Sequence, residues 1–392
     1  MQEKGLSARS VLKDVESRLQ RDLTFESGRI LGSMCTSPHQ LAQQVYVKCM
    51  EKNLGDPGLF PATAALEEEV IKMLGSILSN PHPAGNIVTG GTEANVLALM
   101  AFRNLKRKGH GEIVVPVSAH CSFEKAASLL GLRIVRAGLN SDYRVDVDII
   151  RRALTAKTVG IVGIAGTTGL GVVDPIEELS EVALERGLFL HVDAAFGGFV
   201  LPFLTELGYK APRFDFELPG VSSITVDPHK MGLAPIPAGG IIFRDSDLKK
   251  AIAWKVPYLA GGETEQTTFV GTRSGASVVA TWALLSHLGR EGYRDIVKRC
   301  MDLTFRLAEE IRKIPRLDIM TEPTTNVVGI KSDFFNIERL ANEIRKLGWA
   351  VSLFPQHIRI VVMPHIREEH LKSFLEDLRK VSSDLKSWEG RN

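Results

Sequence analysis

Short runs of β-branched and aliphatic residues alternate with stretches of helical periodicity from residue 86 onwards. Apolar runs of this length, separated by helices, indicate a mostly parallel sheet covered by helices on both faces. The predicted strands are, in order, NIVTGG, EIVVPVS, LRIVRAG, TVGIVGIAG, LFLHVDAA, SSITVDP and GGIIFRD. We therefore expect an α/β protein built on a large, mostly parallel central sheet.

A helical segment precedes the predicted sheet, and a smaller α/β unit follows it. Apolar residues recur at helical spacing in the first eighty residues, interrupted by the turn-rich links GSMCTSPH and NLGDPGLFP. After the sheet, a helix-rich stretch leads into predicted strands LDIMTE, NVVGIK, WAVSLF and IRIVVMP and a closing helix from Arg367. We predict an N-terminal helical segment (1–60), a large domain (61–285) and a small C-terminal α/β domain (286–392).

The overall composition points to a small-molecule partner. The 48 Lys and Arg residues nearly balance the 46 Asp and Glu residues and are scattered, which argues against a nucleic-acid surface. The N-terminus lacks the apolar core of a signal peptide, and the apolar stretches are too short to span a membrane. The four cysteines are far apart, so neither a zinc site nor a disulfide framework is indicated. We expect a cytoplasmic protein.

Candidate functional residues follow the predicted strands, because ligands of such sheets bind at the carboxyl ends of the strands. The residues in these positions are Gly90, Gly91, Thr92, Ser118, His120, Thr167, Thr168, Asp193, Ala195, His229 and Lys230.

The segment TGGTEAN offers an anion site. A strand, glycines and a helix start let backbone N–H groups face a phosphate, with the Thr92 hydroxyl beside them. A tight turn capped by Thr92 explains the same residues equally well. No lysine completes a nucleotide-binding P-loop, and we expect Glu93 to point away from any phosphate.

Lys230 and Asp193 each end an apolar strand. A lysine in a partly dry site has a lowered pKa and is suited to a Schiff base, although a surface loop is the ordinary alternative. The Asp193 carboxylate suits a protonated ring nitrogen, with Ala195 small enough to lie under a flat ring. It could also cap a helix or, with His191, bind a metal, but no third ligand is evident.

These groups together favour one cofactor. A phosphate cradle, a histidine at position 120 that can stack on a ring, an aspartate and a lysine fit pyridoxal 5′-phosphate. A nicotinamide cofactor would need G-x-G-x-x-G after the first strand, which TGGTEAN does not supply.

Several ordered motifs carry a family resemblance: GGTEAN, SAHCSFEKA, GIAGTTGLG, HVDAAFGG, DPHKMG, GTRSG and RIVVMPH. Over nearly the whole chain they resemble the group II pyridoxal-phosphate decarboxylases, a fold-type-I family. Within it, the motifs are most similar to those of the archaeal L-tyrosine/L-aspartate decarboxylases. The resemblance implies a homodimer with the active site at the subunit interface.

The resemblance also implies roles for individual residues. Lys230 would bond the cofactor, His120 would stack on its ring, and Asp193 would pair with its nitrogen while Ala195 lies on the other face. Thr168 would lie close to the cofactor and the substrate carboxylate. The remaining cofactor-binding candidates would hold the phosphate, the last two from the partner subunit: Gly91, Thr92, His229, Gly271 and Thr272.

Two residues are candidates for the substrate side of the reaction. Tyr258, on a loop beyond the lysine, would donate the proton to the α-carbon, or it is simply a packed aromatic residue. Arg359 would hold a carboxylate with its two-pronged guanidinium, or it forms a surface ion pair. Asp227 stands where some relatives have asparagine, and we leave it out of the phosphate ligands.

The resemblance leaves the substrate open. Aspartate would give β-alanine, a precursor of coenzyme A, and tyrosine would give tyramine, used in methanofuran. Glutamate is a third substrate to test. Two other readings are a carbon–carbon lyase resembling sphingosine-phosphate lyase and a non-enzymatic scaffold, although the complete set of cofactor-handling residues argues against a scaffold.

Overall fold

A seven-stranded sheet forms the centre of the protein in the computed structural model, which describes residues 1–106 and 111–389. The strands run in the order β1-β7-β6-β5-β4-β2-β3, and only β7 is antiparallel to its neighbours. This confirms the predicted α/β class with a mostly parallel sheet. The strands are β1 Ala84–Val88, β2 Glu112–Pro116, β3 Arg133–Ala137, β4 Thr158–Ile164, β5 Phe189–Asp193, β6 Val221–Val226 and β7 Gly239–Phe243.

Helices cover both faces of this sheet. Ile241 packs into the apolar cluster under α4, whereas its neighbour Ile242 packs into the cluster on the opposite face with α7, as the two-residue period of a strand requires. The helices up to the small domain are α1 Ala8–Leu19, α2 Gln40–Lys48, α3 Pro61–Ile77, α4 Gly91–Lys106, α5 Ser122–Leu130, α6 Val147–Ala153, α7 Ile176–Arg186, α8 Leu201–Glu206 and α9 Ser246–Lys250.

A two-stranded hairpin follows the large sheet. It consists of β8 Trp254–Val256 and β9 Thr264–Gln266, which pair antiparallel. No strand was predicted here, because strands of three residues leave no detectable alternation, and Tyr258, predicted on a loop, lies between the two strands. The long helix α10 Gly275–Arg312 comes next and is broken at Gly289, whose backbone is not helical.

A second, antiparallel sheet lies in the C-terminal part, with strand order β10-β11-β13-β12. The core of this sheet also includes Leu31 from the N-terminal segment. The Leu31 N–H donates a hydrogen bond to the Ala350 carbonyl, and the Leu31 carbonyl accepts one from the Val361 N–H. The predicted domain boundaries therefore stay predictions, since residues of the 1–60 segment pack against the C-terminal unit. The elements are β10 Asp318–Ile319, β11 Val327–Lys331, α11 Ile337–Lys346, β12 Ser352–Phe354, β13 His357–Val361 and α12 Glu368–Glu389.

Candidate active site

A pocket of about 310 Å³ lies at the carboxyl ends of the central strands. Its walls come from loops that follow β1, β2, β4, β5 and β6, as the strand-end rule predicts. Eight of the predicted site residues line it together: Gly91, Thr92, His120, Thr168, Asp193, Ala195, His229 and Lys230.

The Lys230 amine is held by a carboxylate. Its Nζ lies 3.0 Å from Oδ2 of Asp227, whose side chain is 2 % exposed. The other carboxylate oxygen of Asp227 is buried without a partner in the described structure. Burial alone would lower the pKa of Lys230, but Asp227 and Asp193 outweigh it and raise that pKa. The sequence-based expectation of a lowered pKa was therefore wrong, because it did not include these two charges.

Asp193 ends β5 and lies in the pocket wall. Its Oδ1 accepts a hydrogen bond from the Ala195 N–H at 3.1 Å, and its Oδ2 accepts one from Asn95 Nδ2 at 3.1 Å. Burial raises the pKa of this carboxyl group, while Lys230 and the two hydrogen bonds oppose the rise. Asp193 therefore combines a local capping bond with a position from which it can hold a proton on a bound ligand.

Glycines shape the neighbouring wall. A Cβ atom added at Gly91, the first residue of α4, would lie 3.0 Å from Asp227 Oδ2 and 3.3 Å from the Ala195 Cβ. One added at Gly90 would lie 3.1 Å from the His229 ring. Only a bare backbone leaves this space, next to the amino end of a sixteen-residue helix.

Glu93 points away from this space, as predicted. Its carboxylate accepts hydrogen bonds from the Thr89 backbone and hydroxyl at 2.8 and 2.7 Å, and from the Phe269 N–H at 3.1 Å. These hydrogen bonds hold the carboxylate away from the pocket and leave the helix end free for an anion.

His120 and His229 lie on the pocket from different strands. His120 is exposed and lines the pocket, and its Nδ1 accepts the N–H of Ser122, the first residue of α5, at 3.2 Å. The His229 Nδ1 accepts the Ala238 N–H at 3.2 Å, and burial lowers the pKa of its ring. A neutral His229 can still donate from Nε2 to an anion.

The sequence comparisons decide the family. The model of the pyridoxal-dependent decarboxylase conserved domain matches residues 1–332. The chain belongs to the pyridoxal-dependent decarboxylase family. It is a pyridoxal-phosphate-dependent amino acid decarboxylase, as the motifs predicted.

Similar proteins cover the chain almost completely. A probable L-aspartate decarboxylase of Pyrococcus abyssi is 53% identical over 379 residues, which is 97% of this chain and 98% of that one. A probable L-tyrosine/L-aspartate decarboxylase of Methanothermobacter thermautotrophicus is 53% identical over 361 residues, or 92% and 99% of the two chains.

Solved structures confirm the fold-type-I architecture. A sphingosine-1-phosphate lyase of Burkholderia pseudomallei has a TM-score of 0.92 at 30% identity and covers 100% of this chain and 94% of its own. A glutamate decarboxylase of Lactobacillus brevis has a TM-score of 0.88 at 24% identity, covering 98% and 94%, and supports the fold alone.

The pocket of this decarboxylase fits pyridoxal phosphate in its chemistry. An amine, a buried carboxylate and a side-chain-free helix start are the partners that the carbonyl, ring nitrogen and phosphate of the cofactor require. In the described part of the chain no group of metal-ligating side chains occurs, and the His191 ring is bonded to Ser223 and Asn95.

Four predicted residues lie outside the pocket of their own chain. Gly271 and Thr272 are exposed at the end of residues 267–272, which we call the strap. The strap is held to the domain by the hydrogen bond from the Phe269 N–H to the Glu93 carboxylate. Tyr258 is 82 % exposed on the hairpin loop. Their sequence-based roles stay predictions, and for Gly271 and Thr272 the prediction already required a second subunit.

Arg359, the fourth, lies in β13 and is 8 % exposed. Its guanidinium donates to the Thr168 carbonyl at 2.7 Å, to the Gly32 carbonyl and to the Ser352 hydroxyl at 3.0 Å. Among the described residues it has no carboxylate partner, so the surface ion pair is not formed. Burial lowers its pKa to about 10. A role towards a substrate carboxylate stays a prediction.

Met34 and Asn95 line the pocket but were not predicted, and neither was the contact of Asp227 with Lys230. Met34 belongs to the turn-rich link GSMCTSPH, which periodicity cannot place. Asn95 could have been predicted, because it is an uncharged polar residue in the apolar stretch that begins α4, and buried polar residues form hydrogen bonds.

Proposed function

We propose that this decarboxylase converts L-aspartate to β-alanine, with L-tyrosine to tyramine as a second reaction. The supporting observation is the identity of more than half the residues, over nearly the full lengths, to proteins named for L-aspartate and for L-tyrosine/L-aspartate. The products would serve coenzyme A and methanofuran synthesis, respectively. A Pyrococcus horikoshii relative, also 53% identical, is named for L-aspartate and L-glutamate, so glutamate belongs in the test.

Each pocket residue has a separate role towards the cofactor. Bound pyridoxal phosphate supplies a carbonyl that takes up the substrate amine and a ring that accepts the electrons left when CO₂ departs. Lys230 provides the amine that retains the cofactor, and Asp193 holds a proton at the ring nitrogen. Gly91, Thr92 and His229 bind the phosphate, and His120 and Ala195 enclose the ring faces.

We further propose that the active enzyme is a cytoplasmic homodimer whose sites lie between subunits. The helix α1 supports this, because its apolar residues Val11, Leu12, Val15 and Leu19 are all at least 44 % exposed and no residue of the helix is buried. Large apolar side chains left outside a core indicate a surface for another chain. Among the described residues, no helix is long and apolar enough to cross a membrane.

The function is tested by CO₂ release from L-aspartate, L-tyrosine and L-glutamate. We expect release from aspartate at the highest kcat/KM, and a visible absorption band of the bound cofactor that is absent from the matched variant Lys230→Ala. Asp193→Asn serves as a second control, since it keeps Lys230 and should retain the band while losing most of the activity.

The other outcomes separate the alternatives. Release from tyrosine or glutamate alone would overturn the aspartate assignment. No CO₂ from any of the three, with cleavage of a phosphorylated long-chain amino alcohol, would indicate the carbon–carbon lyase. If the absorption band were absent after soaking with the cofactor, the protein would instead be a non-enzymatic scaffold.

A further inference from the structure

A buried polar network lies directly behind Asp193. It consists of five side chains contributed by α4, α5, β5 and β6, none more than 1 % exposed. Buried polar groups are costly unless they are fully hydrogen-bonded. The five members are Asn95, Ser122, His191, Ser223 and Thr225.

Asn95 occupies the centre of this network and uses its whole hydrogen-bonding capacity. Its Nδ2 donates to Asp193 Oδ2 at 3.1 Å and to Ser122 Oγ at 2.9 Å. Its Oδ1 accepts from Thr225 Oγ1 at 2.7 Å and from His191 Nε2 at 2.9 Å. Two donor positions and two lone pairs are thus all paired.

The direction of the amide is determined by its neighbours. In the reverse orientation, Oδ1 would face the Asp193 carboxylate, oxygen against oxygen, at about hydrogen-bond distance. Burial lowers the pKa of His191 to about 3, so the ring carries one proton at neutral pH. Asn95 Oδ1 can only accept, so its contact with His191 Nε2 at 2.9 Å is a hydrogen bond when the ring proton lies on Nε2, which leaves Nδ1 to accept from the Ser223 hydroxyl at 2.8 Å.

We propose that Asn95 is a positioning residue for Asp193: its amide holds the carboxylate oriented at the pocket, and His191 with Thr225 fixes the direction in which that amide faces. This inference rests on the proposed role of Asp193 at the ring nitrogen. It extends the active site to three uncharged side chains that act through Asp193: Asn95, His191 and Thr225.

The consequence for catalysis follows from the balance at Asp193. Burial raises the pKa of this carboxyl group, and the Asn95 amide is one of the groups that oppose the rise. Without the amide, Asp193 takes up a proton of its own at higher pH and no longer pairs as an anion with a protonated ring nitrogen. A residue that only filled space would not change this titration.

The principal test is Asn95→Ala in the cofactor-loaded enzyme. We expect kcat to fall about tenfold, its acid limb to move to higher pH by about one unit, and the cofactor dissociation constant to rise about tenfold, as for loss of one charge-assisted hydrogen bond. The pH at which the visible absorption of the bound cofactor changes should move as well, and this readout does not depend on turnover.

Ser122→Ala is the matched control, because it removes the other acceptor of the same amide. It should lower the unfolding temperature but leave the acid limb and the cofactor absorption titration in place. Thr225→Val, nearly equal in volume, removes a donor that fixes the amide and should move the acid limb in the same direction as Asn95→Ala, by less. It keeps the test decisive if Asn95→Ala does not fold.

Asp193→Asn separates this inference from the proposed function. If it changes cofactor affinity and the acid limb while Asn95→Ala and Thr225→Val change neither, Asn95 is only a structural residue. If Asp193→Asn itself changes neither, the role of Asp193 fails and the positioning role of Asn95 fails with it. Equal shifts in Ser122→Ala and Asn95→Ala would also overturn the proposal, since a general loss of packing would then explain them.

Discussion

Lys230 is subject to two opposing influences at the scale of single residues. Burial favours the neutral amine, whereas Asp227 at 3.0 Å and Asp193 in the same pocket favour the ammonium form, and the two acids prevail. Only the neutral amine can attack a carbonyl. We therefore expect Asp227 to hold the lysine in place before the cofactor binds and to slow the formation of the bond between them.

Asp227→Asn tests this balance. Removing the charge of Asp227 should lower the Lys230 pKa, so the rate at which cofactor-free enzyme takes up pyridoxal phosphate should reach half its maximum at a pH lower by about one unit. The measurement is the growth of the visible band after mixing, from pH 6 to pH 10. An unchanged midpoint would show that Asp227 does not control the lysine.

The site residues that sequence could identify share one property: they directly follow a strand. Gly91, His120 and Lys230 were predicted on this basis, and all line the pocket. The effect of Asp227 on the lysine was not predictable, because its sign depends on a distance between two side chains. Asn95 was missed for a related reason: its partners come from β5 and β6, far away in the sequence.

At the scale of elements, prediction worked where the apolar pattern was long. All seven strands of the central sheet and the four of the small sheet were anticipated, within a few residues at the ends. The hairpin of β8 and β9 was missed, since its strands have three residues each. The short β12, Ser352–Phe354, was found only because a longer run, WAVSLF, contains it.

Strand β5 carries a testable consequence of burying His191. The folded-state pKa of about 3 lies below the ordinary value of 6.5, so the unfolded chain binds a proton first as the pH falls. The stability from the neutral ring is complete above pH 6.5 and is lost as the pH falls towards 3. The slope of this loss is up to about 1.4 kcal/mol per pH unit.

His191→Gln should therefore be less stable at pH 7 but lose less stability between pH 6.5 and pH 4 than the unchanged protein. Asp193, whose pKa is raised, acts with the opposite sign, and comparing the two proteins cancels its contribution to a first approximation. Unfolding temperatures across this pH range provide the measurement, with the exposed His82→Gln as control. Parallel curves for His191→Gln and the unchanged protein would contradict the assignment.

At the scale of the whole molecule, the order of the strands in the sheet could not be predicted from the sequence. The first strand pairs with the last of the large sheet, β7, which lies about 150 residues later and runs antiparallel. Local periodicity defines each strand but does not specify its neighbours. The same limit applies to quaternary structure, where the exposed apolar face of α1 and the exposed end of the strap at Gly271 and Thr272 indicate an interface without showing the partner.

Mixing two defective chains tests whether the sites are shared. Lys230→Ala should abolish the site of its own chain, and Thr272→Asp would place a negative charge against a phosphate bound next to it. If Thr272 acts across the interface, a mixed dimer contains one site with both defects and one with neither. Co-expression at equal amounts should then restore about a quarter of the normal activity per site, because half of randomly formed dimers are mixed. If Thr272 serves its own chain, each site of the mixed dimer keeps one defect, and the activity stays at the average of the two parents.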